Sequence, residues 1–127
     1  MTRNTLKIIK EAMKALGLEY GFARYAKQPV VYPYWVGEYQ ETAPDSESGH
    51  STSSFLLTGF HRGTWDDLET QKEHIANYFN KVSGKTVMAE DGSAVAIFYA
   101  GSVIVPTGDG ELKSIQINLH IKEWRVN

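Results

Sequence analysis

Apolar residues near the start of the chain recur with helical spacing. Leu6, Ile9, Met13 and Leu16 stand three, four and three apart, and Ile8 and Ala12 widen the stripe. Thr5 or Asn4 can cap its start, and Gly17 suits a left-handed position before apolar Leu18, so the pattern predicts a helix over 5–16. A second stripe runs through Trp65, Leu68, Ile75, Tyr78 and Phe79 and is interrupted where Gln71 and Lys72 stand. Thr64 precedes it as an N-cap whose hydroxyl can accept the Asp67 backbone N–H, and Asp66 and Asp67 put negative charge at the positive helix end. Just ahead, Phe55, Leu56, Leu57, Thr58 and Phe60 form a strand-like run that stops at Arg62-Gly63.

The remaining strands are read from alternation and turn chemistry. Segment 19–28 reads as a connector with scattered aromatics (Tyr20, Phe22, Tyr25), and 29–39 reads as extended chain. Pro33 lacks a donor N–H, so the strand proper is expected over 34–41. Segment 40–53, QETAPDSESGHSTS, is acidic and turn-rich and predicts a loop or long hairpin tip between two antiparallel strands. A short strand over 85–89, the Asp91-Gly92 turn and a strand over 94–99 predict a tight hairpin. Both faces of 94–99 are apolar, which suits an interior strand, and Gly101 permits a bend into 102–106. After a turn at 106–110, the segment 112–126 alternates most clearly. Ile115, Ile117, Leu119 and Ile121 face one way, and the phase slip at Trp124 and Val126 predicts either a β-bulge near Lys122-Glu123 or a strand that changes its burial partner. The order is α-β-β-α-β-β-β. It predicts one α+β domain over 1–127, a mostly antiparallel sheet with two helices packed on one face.

Composition narrows the functional classes. With 42% apolar and 22% charged residues the chain matches ordinary globular composition, and a net charge of −2 offers no footprint for nucleic acid or an anionic membrane. No cysteine is present, which removes disulfides, thiol catalysis and cysteine zinc sites. Lys7 and Lys10 break up the amphipathic start, so no signal peptide is expected, and no apolar run approaches the ~20 residues of a membrane span. A cytoplasmic origin is therefore the default expectation.

Chemistry-bearing motifs are scarce. His50, His61, His74 and His120 show no metal-binding spacing, no serine has a G-x-S-x-G context, and Gly108-Asp109-Gly110 precedes a strand rather than a helix. His61 reads as a polar loop residue, and His74 and His120 as solvated. No cofactor or metal is expected. Asp66, Asp67 and Glu69 are accounted for by the helix dipole, and a hydrolase built on Asp66, Asp67 or His74 would require those side chains to converge. The aromatics Tyr32, Tyr34, Trp35 and Tyr39 are flanked by Glu38 and Glu41, which oppose phosphate. They read first as half-buried core and second as a protein interface.

The element order and the phrases VVYPYWVGEYQE, LLTGFHRGTWDDLE and IQINLHIKEW resemble the tail-terminator and tail-completion (head–tail joining) proteins of long-tailed bacteriophages and prophages. The likeness covers nearly the whole chain. It implies a non-enzymatic ring, commonly a hexamer, that caps the tail tube and joins it to the head connector. Its partners would be its own copies, tail-tube and connector proteins, with no nucleic-acid or membrane binding. It would assemble in the bacterial cytoplasm and reside in the virion tail. The interface candidates are then Tyr34, Trp35 and Tyr39 on the aromatic strand, with Glu41, Asp45, Glu47 and His50 in the acidic tip as a docking arm. The alternative is a small-ligand or peptide-binding module built on the aromatic strand 32–39, with a pocket between sheet and helix.

Overall fold

A computed structural model describes residues 1–41, 50–79, 85–88 and 92–124. In chain order the elements are α1 (Arg3–Ala15), β1 (Glu19–Phe22), β2 (Tyr34–Glu41), β3 (His50–His61), α2 (Trp65–Tyr78), β4 (Lys85–Met88), β5 (Ala94–Ile104) and β6 (Lys113–Trp124). The six strands form one sheet in the order β1-β2-β3-β6-β5-β4. Every neighbouring pair is antiparallel except β1–β2, which is parallel.

Both helices cover the same face of this sheet. Ile9 and Met13 of α1 and Leu68 and Ile75 of α2 are fully buried in one cluster with Trp35, Phe55, Leu57, Ile117, Leu119 and Ile121. Period-two strand geometry puts the odd-numbered residues of β2, β3 and β6 beneath the helices, so one layer of apolar side chains serves both. The α+β architecture thus follows the hydrophobic pattern. The observed order is α-β-β-β-α-β-β-β, with one strand more than expected.

That extra strand, β1, lies where a connector was predicted. Four residues, one of them Gly21, are too few to display alternation, and parallel pairing with β2 (Glu19 beside Tyr34, Phe22 beside Gly37) is set by the return of the chain from α1. The first helix starts earlier than predicted. Thr2, not Thr5 or Asn4, is the N-cap, accepting from the Thr5 backbone N–H at 3.2 Å. At the other end Gly17 is left-handed (φ 72°), with Leu18 N–H donating to Met13 and Gly17 N–H to Lys14, a Schellman closure. For α2 the Thr64 cap forms as expected, the Asp67 N–H reaching its hydroxyl at 3.2 Å.

The apparent phase slip in β6 is not a bulge. The strand pairs in unbroken register with β3 as far as Trp124, so the inward position after Ile121 falls to Glu123 and Trp124 points to the other face. Hydrophobic period breaks there because a carboxylate, not an apolar side chain, fills the inward site. The one register irregularity adjoining β6 lies in β5, between Tyr99 and Gly101, where Gly101 has φ 127°. The strand then continues to Ile104 rather than bending away. Gly92, of the predicted Asp91-Gly92 turn, has φ 88°, and β4 and β5 pair antiparallel. Asp91 and Val126 lie outside the described residues. So do residues 42–49, while Gln40 and Glu41 pair with Ser54 and Ser53 of β3, and β3 runs on to His50 beside β6.

Candidate functional site

The aromatic strand splits by parity into two surfaces. Trp35, on the helix side, is fully buried; its indole N–H donates to Gln71 Oε1 at 2.8 Å. As an interface candidate Trp35 is corrected to core, and the same bond explains the gap in the second helical stripe. Gln71 faces the sheet because the indole requires an acceptor there. Opposite Trp35 stands Gly59, where a Cβ would lie 2.7 Å from the six-membered ring. Glycine is required so that the indole can lie across β3.

Tyr34 points to the other face, which the helices leave open. Its ring stacks on Tyr25 at a centroid distance of 4.4 Å and packs beside Phe60 at 5.3 Å and Tyr32 at 5.6 Å. Tyr25 donates to Glu19 at 2.8 Å, and Lys27 closes on the same carboxylate at 3.0 Å. Hydrogen bonds from Lys27 and Tyr25 hold the Glu19 carboxyl below its ordinary range. Burial raises the Tyr34 phenol. Beside this patch Arg62 donates to Tyr32 Oη at 3.4 Å and to Asp109 at 3.1 Å, fixing the β3–α2 turn against the β5–β6 turn.

The other candidates gather toward the opposite end of β2. Tyr39 is on the helix side but past the helix cover, 40% exposed, with Phe22 stacked 6.1 Å away. Glu41 is exposed and binds the Met1 amino group. His50 opens β3 opposite Trp124, and Asp45 and Glu47 lie outside the described residues. Tyr39, Glu41 and His50 therefore share one end of the sheet, whereas Tyr34 lies at the other end, on the face opposite to Tyr39 and Glu41.

Polar groups beneath the helices are used as anchors. Glu123 Oε2 accepts from Thr5 Oγ1 and Thr2 Oγ1, both at 2.7 Å, and from the Thr2 N–H at 3.1 Å. Burial opposes its ionisation, yet the hydrogen bonds from Thr5 and Thr2 prevail and hold the carboxyl below its usual range. His61 is corrected from a polar loop residue to a buried one ending β3. Its Nε2 lies 3.2 Å from Asp67 Oδ2, and that contact, with Thr64, lowers the Asp67 carboxyl. His74 is exposed farther along α2, so Asp67 meets His61 and not His74. Among the described residues no three His, Asp or Glu side chains group to hold a metal, and no helix is long and apolar enough to cross a membrane.

Sequence reasoning missed three participants. Tyr25 and Phe60 join the Tyr34 patch through contacts that no local period encodes. His61 gave no local sign that α2 would fold back over it.

No family model and no curated protein sequence matches the chain. In structure it is similar to a chain of a native gene transfer agent virion, with a TM-score of 0.66 at 7% identity, covering 88% of this chain and 83% of that one. The two share a fold.

Proposed function

We propose that this protein is a structural component of a phage-like particle, a tail-terminator or head–tail joining subunit that acts by ring self-association and docks on tail-tube or connector proteins. The observation that carries the reading is the fold shared, over most of both chains, with a gene transfer agent virion component. The tail-protein resemblance of the three sequence phrases supports the finer assignment. On this reading the protein works by contact and not by chemistry, in the host cytoplasm during assembly and then in the virion tail.

One structural feature suits such a role: the sheet has a face without helices that carries Val36, Leu56, Phe98 and Trp124 among polar residues. The ligand-binding alternative is weaker because Trp35 fills the space between the aromatic strand and α2.

Light scattering and negative-stain microscopy of the purified protein, alone and with a phage tail-tube protein, test the reading. Rings or a defined complex with the tube protein are expected. A strict monomer at high concentration in both samples would refute it.

A further inference from the structure

Resting on that ring reading, we propose that a basic trough between α1 and β1 receives the acidic segment 42–49 of a second copy. Two adjoining depressions, of about 510 and 590 Å³, share Lys10 and Tyr20 and run together along the open edge of the sheet. Leu6, Leu18 and Tyr20 supply an apolar floor. Lys7, Lys10 and Lys14 form the rim, exposed, and none of the three has an ion-pair partner among the described residues. Lys27 at the far end is already held by Glu19, and Glu11 is the one other acid on the rim.

The occupant is identified by charge and by length. Residues 42–49 carry Asp45 and Glu47 and no basic residue, and Glu41 just before them is already bound to the Met1 amino group. This is the acidic chemistry that an unpaired lysine row beside an apolar floor would recognise. The chain's own segment is too short to fill its own trough. Glu41 lies against Met1 at the start of α1, and eight residues tethered at both ends reach out and back about 14 Å. Lys14 stands twelve residues along the helix from Thr2, about 18 Å away, and the trough continues past it to Lys27. A neighbour's segment has the same reach but is not anchored at Met1, so it can enter the trough at any point along its length. Such a contact joins two different surfaces, and its repetition gives a ring where the rotation between copies closes, as the ring reading requires.

Titration of a synthetic peptide of residues 40–51 into the full-length protein tests recognition. Saturable binding that weakens with salt is expected, falling tenfold or more in a Lys7→Glu/Lys10→Glu/Lys14→Glu variant. A peptide carrying Asp45→Lys and Glu47→Lys should bind the reversed trough instead. All three lysines are exposed, and a thermal melt checks that the variant is folded. Absence of saturation at millimolar peptide, or equal binding by the reversed variant, would overturn the proposal.

Light scattering on the full chain tests the occupant. Reversal of either surface alone should abolish self-association, and reversal of both should restore it. Rings indifferent to both reversals would sink the trough assignment and leave the ring reading standing. A strict monomer that binds the peptide would sink the ring reading and the second-copy occupant together.

Discussion

Trp35 and Glu123 show how single side chains set this core. The indole is fully buried, crosses Gly59 and is oriented by Gln71, so volume and polarity are both constrained at one point. Gly59→Ala should cost about 2 kcal/mol of stability, because its Cβ would force the indole off its position. An unchanged urea midpoint would show that the ring can move aside. Glu123 is a buried carboxylate whose folded-state pKa is depressed, so its contribution is complete above the ordinary carboxylate value and disappears as pH falls through the lowered one. The stability gap between the wild type and Glu123→Gln should therefore be widest near neutral pH, about 1–2 kcal/mol, and should shrink as pH falls below the ordinary carboxylate range. Urea denaturation at a series of pH values measures it, and a gap that widens in acid would contradict the assignment.

The elements are held by their ends as much as by their faces. α1 begins on Thr2 over Glu123 and ends on Gly17, so both termini are tied before any apolar contact is counted. Gly17→Ala places a side chain in the left-handed region and should lower stability by about 1 kcal/mol. The space around Gly17 is open, so the effect should come from backbone strain alone and be equal for Ala and Ser. Thr64→Ala removes the acceptor for the Asp67 N–H and should cost about 1 kcal/mol, read from thermal or urea unfolding. Asp67, with its lowered carboxyl, loses its share of that arrangement as pH falls through the folded-state value.

The two sides of the molecule differ in what they leave for others. One face of the sheet is filled by two helices; the other shows Tyr34, Val36, Leu56 and Phe98, with Lys122 Nζ 5.7 Å from the Phe98 ring. On the proposed ring reading, surfaces of both kinds, the open face and the lysine-rimmed edge, would be available to neighbouring subunits. If assembly uses the charged edge, raising salt from 0.05 to about 0.5 M should shift rings toward monomers, because exposed ion pairs are screened over a shortening Debye length. Sedimentation velocity at several salt concentrations distinguishes this from assembly through the open apolar face, which salt would leave intact or strengthen.

Local pattern alone determined both helices, their caps at Gly17 and Thr64, most strands and the α+β class. Each of those depends on neighbours within a few residues, where spacing, capping chemistry and turn residues act directly. Tertiary structure alone decided that 19–22 is a strand, that Glu123 takes an inward place, that Gln71 interrupts a stripe to meet Trp35, and that His61 lies beneath Asp67. In each case the partner is brought by the sheet or by the fold-back of a helix, from as far as 121 residues away for Thr2 and Glu123. A polar residue at an inward position reads as an error in the pattern until its partner is in place. The lysines of α1 likewise read as an ordinary solvated helix face until β1 comes to lie beside them, because a trough is a property of two elements and neither carries it alone.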